Sequence, residues 1–400
     1  MKHHPPRAQH DNSAFQPCAS GGTPIVVHSH LRWDFVWQRP QQTMARLAEC
    51  HRVAFIEEPI ADGGEARVLV TQPQPNIVRI VPVVAASRGA GTDAQCAEFM
   101  PHLERAFREH PLLRGRFERP IQWFYSPMVA PCFLDRFDAA AVVYDCMDEL
   151  ANFHHAPRDL PQREATLLSA ADLVFTGGYR LYTRKAEHHH NVHFYGCGVD
   201  VGHYGKARDP ATAVPADIAN LPAPVLGYFG VIDERLDYAL IDALAAAFPS
   251  GSIVMIGPVV KVDPAKLPRR PNLHWLGQRG YEDLPAYVKA FDVCLMPFAM
   301  NAATENINPT KTLEYMAAGK PVISTAVPDV VRHFTPIVQV AHDHDEFLEL
   351  TAIAAAGADL DLIERGIARA EGQTWDAIVG AMHAHLLAAV EPQRAELEGG

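Results

Sequence analysis

Three things are scarce in this chain of 400 residues. No apolar run approaches the roughly 18 residues that a bilayer-spanning helix needs, so none is predicted. Positive charge is not in excess: 35 Lys and Arg stand against 47 Asp and Glu, a formal net charge of −12. The sequence pI is near 5.9, which argues against a nucleic-acid binder. Finally, there is no CxxC pair. The seven cysteines (Cys18, Cys50, Cys96, Cys132, Cys146, Cys197, Cys294) are scattered. They read as reduced, mostly buried thiols of a cytoplasmic protein, and not as a disulfide frame or a zinc site. The opening "MKHHPPRAQHDNSAFQPCASGG" lacks the apolar core of a signal peptide. Residues 1–22 are expected to be a disordered tail.

What is present is alternation. Apolar runs such as "PIVVHSH", "RVAFIEE", "AAVVYDC", "PVLGYFG", "SIVMIGP" and "DVCLMPF" are separated by amphipathic stretches such as "RPQQTMARLAEC" and "LDYALIDALAAAF". Continuous apolar runs suit strands covered on both faces. Their alternation with helical patterns predicts α/β architecture: two doubly wound, Rossmann-like domains facing a cleft. Twelve strands are expected, six in each half. The Pro- and Ala-rich stretch 205–224 is expected as a linker between a first domain, 23–204, and a second, 225–372. A last amphipathic helix is expected over 373–391. Ligands of such folds bind at the carboxyl ends of the strands.

One stretch in that position carries the chemistry. In "NINPTKTLEYMAAGKPVIST" (306–325), Asn308 can cap a helix and Pro309 suits its first position. The N–H groups of Thr310, Lys311 and Thr312 would then point outward and, with the helix dipole, form an anion site. Lys311 adds a cation, and Glu314, three residues on, could accept two hydroxyls of a ribose diol. The plainer reading is a capped helix with an exposed lysine. The preceding strand "DVCLMPF" and loop "AMNAATENI" favour the anion site, because they put this helix start at a strand's carboxyl end.

"NPTKTLEYMAAGKPVISTAVPDV" resembles the signature of GT-B glycosyltransferases, above all the large retaining family 4. "GYFGVIDERLD", "NLHWLGQRGYEDLPAYVKAFDVCLMPF", "ADLVFTGG" and a Trp-containing last helix extend the likeness. "HLRWDFVWQRPQQ" resembles a bacterial subgroup acting in cell-surface polysaccharide assembly. The resemblance implies that the main chain and Lys311 hold the diphosphate of a nucleotide-sugar donor and that Glu314 holds its ribose. It also implies that the last helix crosses back to the first domain, that no cofactor or bound metal is needed, and that the anomeric configuration is retained. The chain departs from the family at Asn306. Many members carry there a Glu that meets the donor sugar, and here Glu305 stands beside the position.

Other candidates remain open between two roles. Gly230 allows close approach of a ligand. Arg235 either reaches a diphosphate or pairs with Asp233 or Asp237. Asp148, in the acidic cluster Asp145, Asp148 and Glu149, either assists proton transfer or caps a helix; His154 and His155 follow it closely. His30, Arg32, Trp33 and Arg39 either meet a glycan or lipid-linked acceptor or pack a helix start. The arginines of 102–120 either touch a membrane surface at the inner face or line a solvated helix, and "EHHHN" (187–191) reads as a surface loop. The reading as a whole is transfer from a nucleotide-diphosphate sugar to a glycan or lipid-linked acceptor. The alternatives are a sugar-nucleotide epimerase of the same architecture, or an inactive nucleotide-sugar-binding subunit.

Overall fold

The apolar runs become strands buried along their whole length, as in "IVVHS", "VAFIE", "VLGYF", "SIVMI" and "VCLM". A computed structural model describes residues 21–85, 91–153 and 156–398. Nearly all of the expected tail, with Cys18, lies outside the described residues, as do His154 and His155.

The first sheet contains β1 (Ile25–Ser29), β2 (Val53–Glu57), β3 (Ile60–Ala61), β4 (Arg67–Gln74), β5 (Ile77–Val84), β6 (Ile121–Phe124), β7 (Ala141–Cys146), β8 (Leu173–Thr176) and β9 (Val192–Phe194). Their order is β3-β5-β2-β1-β6-β7-β8-β9, with β4 added on β5. The pair β4–β5 is antiparallel; the other pairings are parallel. Strands β3, β4 and β5 are additions to the six expected in this half. Strand β4 is half-exposed and contains Pro73, while β5 is interrupted by Arg79 and Pro82, so neither reads as a continuous apolar run. Asn76 turns the chain between them at φ +61°.

The second sheet contains β10 (Val225–Phe229), β11 (Ser252–Ile256), β12 (Leu273–Gly277), β13 (Val293–Met296), β14 (Val322–Thr325) and β15 (Gln339–Ala341). All its pairs are parallel, in the order β12-β11-β10-β13-β14-β15. Counted from its own first strand that is 3-2-1-4-5-6, the doubly wound order, whose direction reverses between β10 and β13.

The chain divides into two units. One is formed by the chain up to Gly196 together with the segment from Asp376 onward, the other by Cys197–Trp375. The boundary therefore falls before residue 204, and the expected linker 205–224 is part of the second unit. Gly205–Arg208 is a turn of 3-10 helix, and Ala207 and Ile218 are buried in that unit's core. Lys289 Nζ clamps the carbonyls of Asp209, Pro210 and Thr212 at 2.7, 3.0 and 2.7 Å. Main-chain carbonyls anchored by a lysine leave no apolar pattern in the sequence.

The last helix, Trp375–Glu398, is fastened within the first unit by two histidine pairs. His51 Nε2 and His383 Nε2 are 2.8 Å apart. His51 Nδ1 lies 2.7 Å from the Thr23 carbonyl, which can only accept. The proton therefore sits on His51 Nδ1, and His383 Nε2–H donates to His51. Two residues on, the His385 ring lies 3.7 Å from that of His193, centroid to centroid. Burial holds the imidazoles of His383 and His193 down at about 4.

Candidate active site

In the second unit the order of the parallel strands reverses between β10 and β13, and the loop following each of these strands supplies the site. Strand β10 ends at Phe229 and Gly230. Gly230 sits at φ +150°, and a Cβ on it would lie 2.7 Å from Lys311 Cε and 2.6 Å from the Tyr228 hydroxyl. Gly257, after β11, has φ +148°, and a Cβ there would lie 1.7 Å from the Gly230 carbonyl oxygen. Gly230 thus makes the room in which the Lys311 side chain lies, and Gly257 makes the room for the Gly230 main chain.

The helix Lys311–Ala317 starts later than the sequence suggests. Its N-cap is Thr310, not Asn308. The Asn308 carbonyl accepts from the Cys197 thiol at 3.4 Å. Buried Pro309 precedes the helix, and its carbonyl accepts Thr312 N–H at 3.2 Å. Thr312 is fully buried, and its hydroxyl donates to Met296 Sδ at 3.6 Å. The turn thus consumes one of the three amides expected to be open. No main-chain carbonyl among the described residues accepts from Thr310 or Lys311.

Lys311 Nζ lies 3.3 Å from Thr310 Oγ1 and 3.8 Å from Glu314 Oε2, and 5.4 Å from the centroid of the Phe229 ring. The ring face favours the ammonium. Glu314 is buried, and Oε2 has no hydrogen-bond partner among the described residues. Burial pushes its carboxyl above the usual range, against the pull of Lys311 and a hydrogen bond from the Tyr204 hydroxyl. Asn306 is 1% exposed, and neither end of its amide has a partner among the described residues. Such orphaned polar atoms are uncommon in a folded interior. Glu305, by contrast, is exposed, so Asn306 and not Glu305 occupies the inward position.

Arg235 takes the more ordinary of its two roles. Its guanidinium grips Asp233 with contacts of 3.0, 3.1 and 2.8 Å. It still shares surroundings with the lysine: the Tyr228 hydroxyl, against which Gly230 packs, feels both Arg235 and Glu314. Sequence reasoning missed Phe229, Tyr204, Tyr228 and Gly257. Of these only Gly257 had a usable signal, a glycine closing the strand next to β10.

In the first unit the expected acceptor residues separate. Glu57, at the end of β2, accepts from Arg32 Nη1 at 3.0 Å, from Trp33 N–H at 2.9 Å and from Arg79 Nε at 2.6 Å. Gln41 Nε2 donates to the carbonyls of Arg32, Trp33 and Val36. The loop after β1 is therefore tied down from both sides. Trp33 is buried edge-on against Phe55 and Trp37. Arg39 is 2% exposed and holds Asp145 at 2.9 Å and the Tyr195 carbonyl at 2.7 Å. Trp33 and Arg39 are thus core residues, not acceptor-facing ones. His30 does line an open concavity, with Ser29, Glu58, Phe99, Ser126 and Phe133. Asp148 is half-buried and its carbonyl accepts from the Cys146 thiol at 3.5 Å. Asp145 is committed to Arg39, and Glu149 to Lys185 at 3.2 Å.

Two of the five arginines of 102–120 are drawn into surface pairs. Arg105 meets Glu109 at 3.0 Å, and Arg119 meets Asp138 at 3.4 Å. In the stretch 187–191, His189 Nε2 lies 2.9 Å from the Ala171 carbonyl. No helix among the described residues is long and apolar enough to cross a membrane.

Comparison with solved structures gives the class. Sucrose-phosphate synthase from Thermosynechococcus elongatus matches with a TM-score of 0.68 and 18% identity, over 92% of this chain and 100% of that one. HepE from Anabaena, in complex with UDP and glucose, matches at 0.62 and 14%, over 92% and 100%. The fold is GT-B, the two-unit architecture of these glycosyltransferases. Within it, residues 223–353 match the family model described as glycosyl transferases group 1. "Putative teichuronic acid biosynthesis glycosyltransferase TuaH" of Bacillus subtilis (strain 168) is 32% identical over 125 residues, 30% of this chain. The matched region spans about a third of that relative, 32% of its length.

Proposed function

We propose that the protein is a glycosyltransferase that moves a sugar from a nucleotide-diphosphate sugar to a hydroxyl of a glycan or lipid-linked acceptor, with retention at the anomeric carbon, in the assembly of cell-surface polysaccharide. The observation that carries this reading is the Lys311–Glu314 pair. An ammonium and a carboxylate lie 3.8 Å apart after the point where the strand order of a doubly wound sheet reverses, with Gly230 leaving room for the lysine side chain. Departure of a nucleoside diphosphate builds negative charge on phosphate oxygens. A preorganised ammonium and the amides of Thr310 and Lys311 oppose that charge without reorganising. The open acceptor atom on Glu314 suits a sugar diol, and the unpaired amide of Asn306 can both donate to and accept from hydroxyls of the donor. In this reading the charge is met by the chain itself, with no cofactor. The leaving phosphate oxygen takes the acceptor's proton, so no base is needed on the opposite face of the sugar. A lipid-linked acceptor would bring the protein to the inner face of the membrane.

The match to the group 1 family model, residues 223–353, lies in the second unit. The test is incubation of the full chain with labelled nucleotide sugars, with and without a polysaccharide-lipid fraction as acceptor. Label moving into the acceptor is expected. Conversion of the donor sugar in the absence of any acceptor would instead make the protein an epimerase.

A further inference from the structure

Two cysteines far apart in the sequence meet in the first unit. Cys96 lies in the helix Thr92–Glu109 and Cys132 in the single turn Ala130–Phe133, and their thiols are hydrogen-bonded to each other. The two helices are packed together nearby, with the Phe99 and Phe133 rings stacked at 6.3 Å. Cys96 is 4% exposed. Cys132 is half-buried, and it alone among the described cysteines is not buried. Its sulfur lies 3.6 Å from Asp93 Oδ1, and that carboxylate is neutralised by Arg163 at 2.9 Å. Arg163 Nη1 also donates to the Met128 carbonyl at 2.9 Å, which fixes the entrance to the Cys132 turn.

We propose that Cys96 and Cys132 form a dithiol that a hydroperoxide closes into an intramolecular disulfide. The roles are set by exposure and charge. Reactive thiols are accessible ones that ionise readily, and a buried thiol is inert until a neighbour is oxidised. The hydrogen bond from Cys96 holds the Cys132 thiol below its ordinary range, with Arg163 acting in the same sense; burial and Asp93 oppose them. The Cys96 thiol is pushed up by that same bond and by burial. Cys132 is therefore the attacking group and Cys96 the resolving one. The Cys132 thiolate attacks the O–O bond of the hydroperoxide: an S–O bond forms, the O–O bond breaks and an alcohol or water leaves. The Cys96 thiol then gives up its proton, and its sulfur displaces hydroxide from the Cys132 sulfenic acid, forming the S–S bond and releasing water. Two thiols are oxidised and one peroxide is reduced, a two-electron balance. The sulfurs must close from hydrogen-bond contact to about 2.05 Å. Because Phe99 and Phe133 also line the concavity beside His30, the crosslink would tie two walls of that space together.

The experiment uses the full chain treated with hydrogen peroxide, followed by alkylation and peptide mapping. Two of the seven thiols should be lost and recovered with dithiothreitol, and the map should contain a Cys96–Cys132 crosslinked peptide. In Cys96→Ser the sulfenic acid should persist at Cys132 and be trapped by dimedone. In Cys132→Ser, Cys96 should stay fully alkylatable. Mapping separates these sites from Cys18, whose oxidation does not bear on the pair. If in the wild type Cys96 is still alkylated after treatment, or Cys132 proceeds to sulfinic acid without crosslinking, the proposal is overturned.

Discussion

The Gly230 backbone and the Lys311 side chain are in contact, close enough that a single added methyl group would lie 2.7 Å from Lys311 Cε. The lysine is placed as much by what β10 omits as by its own helix. Gly230→Ala should therefore displace the ammonium and strain a backbone at φ +150°, at a stability cost of about 1–3 kcal/mol. Nucleoside-diphosphate affinity, read by calorimetry, should fall at least tenfold. Unchanged affinity would show that the ammonium does not depend on this contact.

Lys311→Ala should lower turnover at saturating donor by roughly 10²-fold, the usual cost of losing a group that stabilises developing charge. The melting temperature should barely move, since the lysine's partners are a hydroxyl, a ring face and a carboxylate that can protonate. Near-wild-type turnover would remove the phosphate role.

Glu314→Gln separates binding from stability. Burial raises the Glu314 pKa in the folded chain. Its ionisation therefore costs folding energy, in a contribution that is absent below the unfolded pKa, grows as pH rises from the unfolded pKa to the folded one, and is constant above it. The neutral glutamine should raise the melting temperature of the ligand-free protein at neutral pH. It should also reduce the further stabilisation that nucleoside diphosphates give. A variant that is less stable without ligand but binds normally would contradict both statements.

The histidine pairs set an acid limit. For His383 and His193 the folded values of about 4 lie below the ordinary imidazole value of 6.5. Between those limits the unfolded chain binds more protons, so stability should rise with pH across that interval and be lost as pH falls through it. Once protonated, His51 and His383 would present N–H to N–H. Thermal melts from pH 4 to 7 check the slope, and H385N, which removes one stacked pair, should flatten it.

Asp145→Ala should be the most damaging single change in the first unit. It strands the Arg39 guanidinium, 2% exposed, without its partner. Removing one side of a buried pair costs about 3–5 kcal/mol. Denaturant unfolding measures it, and a cost under about 1 kcal/mol would mean that Arg39 finds other acceptors.

What could be read in the sequence follows the physics of each element. All twelve expected strands form, because strands covered on both faces must be continuously apolar. The β4–β5 hairpin could not be read, since an exposed edge tolerates Pro73 and Gln74. The segment around Lys311 was legible from its position after β13. The details of its turn were not: whether Asn308 or Thr310 caps the helix depends on where Cys197 and Met296 approach. For Arg39 and Trp33 the sequence leaves two roles open, because charge and aromatic rings in a loop suit an acceptor surface as well as a packed helix start. Only the tertiary fold brings Asp145 to Arg39 and Phe55 to Trp33.

The first unit is assembled from two separated stretches of the chain, one running up to Gly196 and one from Asp376 onward. All of the intervening unit must therefore be made before His383 can reach His51. The Cys197–Trp375 unit is contiguous and can close on its own stretch of chain. The two units therefore differ in what they wait for: the middle one needs only itself, while the first stays open until a segment beyond the other has joined it.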